Sequence, residues 1–329
     1  MRNEFLTQIQ KDFPITQRPF KEIAKELNSS EDEVLNLYKK LKEEKIIRQT
    51  SAIFDTKSLG YKSSLVAFKV KDTQKASKFI NTHPGVSHNY ERDNIFNLWF
   101  TIATEPKSSL GLEKTIELMA QKVDAIDYII LPTKKMFKIK VQLDLTGKRD
   151  SKERLSKHKK IDIDLDDADI ELIKFLQQDI EPNYEPFDKL IKALGIDYKA
   201  LQERANRFKQ AGVMRRFASI LYHKRAGFNA NAMVVWSVDE DKEEELAKKA
   251  ASFSAVSHCY LRPTYPNWPY SLFTMIHGKS KDEVREVVEQ IKDEIKPFYY
   301  NYLYSTKEFK KQRIEYFSPK FKEWEEQFS

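Results

Sequence analysis

The order of apolar and polar positions predicts helices at the start of the chain. Apolar residues recur at helical spacing over residues 20–27 and 31–44, so each segment has one face to bury. Ser30 and Glu33 can form a capping box at the start of the second segment. Together with a helix predicted over residues 3–12, these segments give a helix-turn-helix plan.

The pattern then changes to alternating or continuous apolar runs, which are typical of strands. After the first of these runs, two helical segments interrupt the others in the βαββαβ order of a ferredoxin-like domain. The predicted strands cover residues 46–54, 62–70, 86–92, 98–103 and 126–138, and the predicted helices cover 75–81 and 109–123.

The same order occurs a second time, so the chain is a tandem repeat. RPFKEIAKEL from Arg18 returns as EPFDKLIKAL from Glu185, and VSHNYER from Val86 returns as VSHCYLR from Val256. In the second half the strands are predicted at 230–238, 256–262, 271–277 and 299–311, and the helices at 243–252 and 281–295. We therefore predict an α+β fold, a tandem repeat of a winged helix-turn-helix followed by a ferredoxin-like βαββαβ domain.

The repeat sets the expected domain boundaries. A segment dominated by charged residues separates the two halves and suits a solvated linker. The expected domains are a helix-turn-helix over 1–50, a ferredoxin-like domain over 51–142, a linker over 143–166, a second helix-turn-helix over 167–217, and a second ferredoxin-like domain with a C-terminal tail over 218–329.

Composition and charge narrow the class of protein. The chain carries 57 basic and 50 acidic residues, and its net charge of +7 suits an anionic partner, either nucleic acid or a polycarboxylate ligand. The single cysteine, Cys259, excludes an internal disulfide and fits a reducing compartment. No apolar run has the length of a membrane span, and residues 1–4 begin no apolar signal region, so we expect no export. We expect a cytoplasmic protein.

The segment VSHCYLRPTYPNWPYSLFTMIHG, residues 256–278, is the least like a plain structural hairpin. Prolines and aromatic residues separate its two predicted strands, although the middle of a sheet excludes proline. Such a turn could hold a flat apolar ligand while His258 and Arg262 supply proton and charge. The alternative is a proline-stiffened hairpin whose aromatic residues are simply packed.

Two strands of the second half combine histidine with cationic residues. In RRFASILYHKR the period of two places Arg215 and His223 on one face, and Arg216, Lys224 and Arg225 add positive charge nearby. In VSHCYLR the same period places three residues on one face of the strand: His258, Tyr260 and Arg262. The two faces could close over a flat anionic ring.

The first half keeps only part of this pattern. Thr56 stands at the position of His223, and Gln49 at the position of Arg216. The residues that it does keep are His88, Tyr90 and Arg92. We therefore expect one competent site in the second half, with a secondary pocket around His88 as the alternative.

Three segments resemble the sirohaem decarboxylases: HNYERDNIFNLWFT, RRFASILYHKRAGFNANAMVVW and SHCYLRPTYPNWPYSLFTMIHG. Those enzymes are related to the Lrp/AsnC regulators and remove the C12 and C18 acetate carboxyls of sirohaem. Their product serves haem synthesis or the special haem of nitrite reductase. The family usually has two paired subunits, and this chain resembles both of them fused, except in the linker and tail.

That reaction requires a general acid near neutral pKa and fixed cations for a ring with many carboxylates. We expect His223 and His258 to be catalytic, either of them being a candidate axial ligand of the substrate iron. The expected substrate-binding residues are Arg215, Arg216, Lys224, Arg225, Tyr260, Arg262, Tyr265 and Trp268. No cofactor is expected, because the iron belongs to sirohaem or a related iron tetrapyrrole.

The alternatives are a DNA-binding regulator of the Lrp/AsnC type and a haem-binding sensor. The first recognition helix begins SSEDEV, with acidic residues where DNA phosphates would lie. The second recognition helix opposes DNA less, because it offers polar and cationic side chains: Lys199, Gln202, Arg204 and Arg207. DNA binding is therefore not expected. The two halves are expected to pair within the chain, while homo-oligomerisation, the order of decarboxylation and the role of each histidine stay open.

Overall fold

The computed structural model of the chain describes residues 2–139, 163–222 and 230–328. These residues form two compact units, and each unit takes segments from both halves of the sequence. Helix-turn-helix segments therefore group together, and so do the ferredoxin-like segments. The described part of the first unit is 2–60, 163–222 and 315–318, and that of the second is 61–139, 230–314 and 319–328.

The first unit holds the two predicted helix-turn-helix segments. Its helices are α1 Arg2–Lys11, α2 Pro19–Glu26, α3 Glu31–Glu43, α6 Asp167–Leu176, α7 Asp188–Leu194 and α8 Tyr198–Gln210, and its strands are β1 Ile47–Phe54 and β7 Met214–Leu221. The capping box of α3 is present, because Ser30 and Glu33 each accept the other's backbone N–H. Helix α7 is capped at its C-terminal end by Gly195, whose φ of 62° lies in the left-handed region that glycine tolerates.

The wings of the two helix-turn-helix segments pair with each other. Strands β1 and β7 form an antiparallel ribbon in which Ala52 lies opposite Phe217. The expected boundaries after residues 50 and 217 fall inside these strands, because the wings stay with the helices that precede them. Asp166 caps α6, so the second helix-turn-helix begins at the predicted end of the linker. Residues 143–162 of that linker lie outside the described residues.

The second unit contains two ferredoxin-like domains. Its strands are β2 Lys62–Lys69, β3 Val86–Arg92, β4 Leu98–Thr104, β5 Asp127–Leu131, β6 Lys135–Ile139, β8 Ala230–Ser237, β9 Val256–Leu261, β10 Leu272–Gly278, β11 Tyr299–Leu303 and β12 Ser305–Lys311. Its helices are α4 Thr73–Ile80, α5 Gly111–Lys122, α9 Glu243–Ser252, α10 Lys281–Ile295 and α11 Lys320–Glu325. The strands of the first sheet have the order β12-β3-β4-β2-β5, and those of the second have the order β11-β8-β10-β9-β6.

The α+β fold and the βαββαβ order are confirmed, with most element ends within two residues of their predicted positions. The correction concerns the segments 126–138 and 299–311, each of which was predicted as one strand. Each consists of two strands, and the second strand of each leaves its own sheet. Strand β6 pairs with β9 of the second domain, and β12 pairs with β3 of the first. The two halves are thus joined by reciprocal exchange of edge strands.

A core lies between the two sheets, on the faces that point away from the helices. It joins Trp99 and Ile129 of the first half to Val235, Trp268 and Phe273 of the second. The helix-facing side of each sheet has its own apolar core. The exchanged strands and the shared core together make the two domains one unit. Within the described ranges, no helix is long and apolar enough to cross a membrane.

Candidate functional site

Strand β9 separates its core residues from its candidate site residues. Cys259 and Leu261 are buried against the helices, while the other face carries His258, Tyr260 and, just past the strand, Arg262. The ring centroids of His258 and Tyr260 are 6.1 Å apart, and the Arg262 guanidinium lies 5.1 Å from the Tyr260 ring centroid. The prediction that these three residues share one face is therefore confirmed.

His258 takes part in a hydrogen-bonded chain that the sequence reasoning missed. Its Nδ1 lies 2.8 Å from the Ser257 hydroxyl, and that hydroxyl lies 2.8 Å from Nε2 of His277 on β10. His277 was not among the predicted site residues. The signal that could have found it is the pairing of neighbouring strands, because Met275 of β10 lies opposite His258 and His277 follows two residues later on the same face.

Methionines border the half-buried face of His258 and Tyr260. Met136 of the exchanged strand β6 lies opposite Tyr260, and Met275 lies opposite His258. Met233 of β8 lies opposite Met275 in turn. Met136 remains 43% exposed, so apolar surface is available beside the two rings. Flexible, polarizable methionine side chains can adapt to a large flat ligand.

Arg262 has a different role from the carboxylate binding expected of it. It is only 8% exposed, and one N–H of its guanidinium donates to the backbone carbonyl of Leu131 at the end of β5. Burial lowers the pKa of its side chain to about 10. Its guanidinium also lies over the ring of Phe273. Arg262 therefore supports Tyr260 from the core side and joins the two sheets, with little surface left for a ligand.

The proline–aromatic turn of the hairpin is likewise attached to the other half. Trp268 is 1% exposed, with its ring centroid 5.2 Å from that of Trp99 and 6.0 Å from that of Phe96. The Tyr265 hydroxyl donates to the carbonyl of Ile130 in β5. Trp268 is therefore a core residue, and the expectation that it covers a ligand is wrong. The packed-hairpin alternative describes this turn.

The first half repeats the geometry of the three-residue group. His88 and Tyr90 have ring centroids 6.2 Å apart, and the Arg92 guanidinium lies 5.7 Å from the Tyr90 centroid. Arg92 donates to the carbonyl of Leu303 at the end of β11, as Arg262 does to Leu131. Burial lowers the pKa of Arg92 to about 10 as well.

The chemistry around this first copy is different. Glu308 of β12 lies opposite Tyr90, where Met136 lies opposite Tyr260 in the second copy. Burial, together with the charge and a hydrogen bond of Glu308, raises the pKa of Tyr90 to about 12. Thr101 takes the place of Met275 and bonds to the Ser87 hydroxyl at 2.6 Å. A carboxylate at this position opposes the binding of a polycarboxylate ligand.

The predicted site residues Arg215 and Arg216 lie on β7, in the first unit. Arg215 donates to the carboxylate of Asp55 at 2.6 Å, and Arg216 donates to the carbonyl of Gln10 at 2.8 Å. Burial lowers the pKa of Arg216. Three further predicted residues lie outside the described residues, so the structure places none of them: His223, Lys224 and Arg225.

The arginines of helix α8, which were considered for DNA contact, are held by carboxylates of α6 and its cap. Arg204 donates to Asp169 at 2.5 Å and to Asp166 at 3.1 Å. Arg207 also donates to Asp169, whose side chain is fully buried. These contacts hold both guanidinium groups against α6.

Two clefts of the first unit are small. One of about 180 Å³ lies beside Phe187 and Phe217, and one of about 290 Å³ lies beside Pro14 and Gln202. Both are below the roughly 300 Å³ at which ligand pockets begin. In the part of the chain that the structure describes, no three His, Cys, Asp or Glu side chains are grouped so as to hold a metal ion.

Two protein-family models match the chain. The AsnC-like ligand binding domain matches residues 58–138 and again 225–310. The siroheme decarboxylase NirDL-like HTH domain matches residues 3–48. The paired matches of the first model agree with the tandem repeat.

Curated relatives match either the whole chain or one half of it. The siroheme decarboxylase of Hydrogenobacter thermophilus (strain DSM 6534 / IAM 12695 / TK-6) is 41% identical, with 98% of each chain covered. The siroheme decarboxylase beta subunit of Methanosarcina barkeri (strain Fusaro / DSM 804) is 37% identical and covers 45% of this chain with 97% of its own length. This length relation is the one expected of two fused subunits.

A solved structure agrees over the same extent. It is the crystal structure of the siroheme decarboxylase NirDL in co-complex with an iron-uroporphyrin III analogue. The match has a TM-score of 0.80 and 34% sequence identity, and it covers 99% of this chain and 98% of that one.

Proposed function

We propose that this chain, which belongs to the sirohaem decarboxylase family and is a carboxy-lyase, removes the C12 and C18 acetate carboxyls of sirohaem to give 12,18-didecarboxysirohaem. The observation that carries the proposal is the half-buried face of β9. On it His258 and Tyr260 lie side by side within a border of methionines. This face offers a proton donor beside an apolar surface, which a flat iron tetrapyrrole requires.

The chemistry needs protons and an electron sink. The electrons of the breaking carbon–carbon bond are accepted by the protonated pyrrole ring, and the methylene group left after carbon dioxide departs is protonated to methyl. The ring proton is then returned, so each carboxylate lost consumes one proton and no oxidant or reductant. A histidine general acid supplies such a proton near neutral pH. We assign this role to His258, with His223 as its proposed partner.

The substrate also presents many carboxylates. Lys224 and Arg225 remain proposed partners of these groups, and so does Arg215 through the N–H groups that Asp55 does not accept. Arg216 is a weaker candidate, because it is half-buried and its guanidinium donates to a backbone carbonyl. Tyr260 would contact the face of the macrocycle. No further cofactor is proposed, since the iron enters with the substrate.

The DNA-binding alternative is disfavoured by the arginines of α8. Asp169 and Asp166 accept hydrogen bonds from Arg204, and Asp169 also accepts from Arg207. Phosphate contact would require breaking these pairs with a buried carboxylate. The first recognition helix, α3, has three acidic residues in its first turn. The acidic start of α3 and the paired arginines of α8 therefore both oppose DNA contact.

The test is anaerobic incubation of the full chain with sirohaem, followed by mass spectrometry of the tetrapyrrole. The proposal expects a product that has lost two carboxyl groups as carbon dioxide. Unchanged sirohaem would contradict it. Salt-sensitive duplex binding at nanomolar concentration, measured in parallel, would instead support the regulator.

A further inference from the structure

The exchanged strands β6 and β12 carry the same four-residue motif. Residues 135–138 read KMFK, and residues 307–310 read KEFK. Each strand pairs with the strand of the other half that bears the histidine and tyrosine, β9 for the first motif and β3 for the second. The two motifs differ only at their second position, which is Met136 in β6 and Glu308 in β12.

A β-bulge at the phenylalanine of the motif decides where its neighbours point. Met136 lies opposite Tyr260 of β9. Lys138 lies opposite Cys259, so Phe137 is an extra residue between two consecutive partners. Because Tyr260 and Cys259 are on opposite faces of the sheet, the bulge turns Met136 to the site face and Lys138 to the helix face. Strand β12 has its bulge at the same position of the motif.

The last lysine of each motif anchors its strand to the end of a helix in the other half. The buried ammonium of Lys138 donates to the carbonyl of Phe253, the C-cap of α9, at 2.8 Å. Lys310 donates to the carbonyl of Asn81, the C-cap of α4, at 2.9 Å. The C-terminal end of a helix carries partial negative charge, so it attracts an ammonium group.

The first lysine of each motif holds the start of the same helix. Lys135 forms an ion pair of 2.5 Å with Glu244 in the first turn of α9. Lys307 donates to the side chain of Gln74 in the first turn of α4 at 2.7 Å. The phenylalanine between the lysines packs against the helix-side core of the sheet that its strand joins. Each exchanged strand is thus fixed at both ends, with its second motif residue beside a tyrosine.

We propose that the second residue of this motif decides which copy receives a tetrapyrrole, and that Lys138 is a positioning residue that holds Met136 beside Tyr260. Met136 offers an apolar, polarizable side chain to the flat face of the macrocycle. At the equivalent place in the first copy, Glu308 puts a carboxylate next to a ligand that carries carboxylates itself, and like charges repel. The inference rests on the proposed function for the identity of the ligand.

The first part of the test changes only the variable position, in the full chain. M136E should weaken sirohaem binding, titrated by absorption, at least about 10-fold, because it adds the carboxylate of the first copy. M136Q has the same length without the charge and should lose less, while M136L should bind as the unaltered chain does. The strand should tolerate glutamate here, since β12 carries it in the same motif. Equal binding by M136E and the unaltered chain, or equal losses in M136Q and M136E, would overturn the proposal.

The second part separates positioning from simple structural support. K138M removes the ammonium group and keeps an apolar stem. It should raise KM for sirohaem by roughly 3–10-fold with kcat little changed, because Met136 is no longer held beside Tyr260. K310M is the matched control in the first copy. It should lose a comparable unfolding free energy in urea and keep the KM of the unaltered chain. A similar rise of KM in both variants, or none in K138M, would overturn the role of Lys138.

Failure of this inference is distinguishable from failure of the proposed function. If the unaltered chain binds sirohaem without decarboxylating it, and M136E weakens that binding, the proposed function fails and the role of Met136 stands. If M136E and the unaltered chain bind and decarboxylate sirohaem equally well, the proposed function stands and the inference fails. Absence of sirohaem binding by the unaltered chain would overturn both.

Discussion

Replacing Trp268 by alanine removes one of the two tryptophans from the core between the sheets. The side chain is 1% exposed, and its ring packs against those of Trp99 and Phe96. Replacement of a buried Trp by Ala typically costs about 3–5 kcal/mol of unfolding free energy. Each aromatic pair adds about 0.5–1.5 kcal/mol beyond burial. We therefore expect W268A to lose about 4–5 kcal/mol.

Phenylalanine at the same position should be far better tolerated. Among the described residues, the buried indole N–H of Trp268 has no hydrogen-bond partner. An unpaired buried donor costs about 1–3 kcal/mol, so its removal offsets the smaller volume of the new ring. We expect W268F to change the unfolding free energy by no more than about 1.5 kcal/mol.

The assay is urea unfolding followed by tryptophan fluorescence. The remaining tryptophans, Trp99, Trp236 and Trp324, all lie in the second unit, so the signal reports on that unit. N267A is the control in the same turn, because it removes one exposed hydrogen bond to Asp127. It should cost about 1 kcal/mol or less. A loss of unfolding free energy below about 1 kcal/mol in W268A, together with weaker sirohaem binding, would refute the core assignment. It would support the earlier expectation that Trp268 contacts the ligand.

Three other changes test separate parts of the structure. Burial lowers the pKa of His83 to about 3, below the ordinary value near 6.5, so the unfolded chain binds the extra proton. The unfolding free energy should therefore fall by up to about 1.4 kcal/mol per pH unit below pH 6.5. H83Q keeps an acceptor for the Gly85 N–H but cannot take up this proton, so it should reduce that slope. Urea titrations at several pH values measure the slope. E308M should raise the number of tetrapyrroles bound per chain, titrated by absorption, from one towards two. An unchanged number would contradict the view that Glu308 prevents binding at the first copy. D169N should lower the unfolding free energy of the first unit by about 1–3 kcal/mol in thermal circular dichroism, because both arginines of α8 lose a charged acceptor.

The elements of this fold are predictable because their signals are local. Apolar spacing and the repeated segments placed the helices and strands of both halves close to their observed ends. The exchange of β6 and β12 has no such signal. A run of alternating residues such as 135–139 indicates a strand without indicating its sheet, and a turn between 131 and 135 reads like an irregularity in one long strand.

The site shows the same division between local and distant information. The period of two correctly put His258, Tyr260 and Arg262 on one face. The partner of Arg262 is a carbonyl from the other half, so its buried supporting role follows from strand exchange and could not be inferred from its own segment. Trp268 was misassigned because a proline–aromatic turn suits a ligand wall and a packed core equally well, and only the position of β5 distinguishes them.

The arginines of α8 illustrate a further limit. Their spacing left them available for DNA in the sequence, whereas the folded chain pairs them with a carboxylate at the start of α6. The sequence of a basic helix thus does not show which carboxylates its arginines pair with. That depends on which helix packs against it in the folded chain.

The account is tested most directly by comparing H258A with H88A, the equivalent change in the first copy, in the anaerobic sirohaem assay. Loss of a general acid should slow formation of the didecarboxylated product by roughly 10²-fold or more in H258A. H88A should retain the unaltered rate. Equal rates in H258A and the unaltered chain, or a comparable loss in H88A, would contradict a single site on β9 with His258 as its acid.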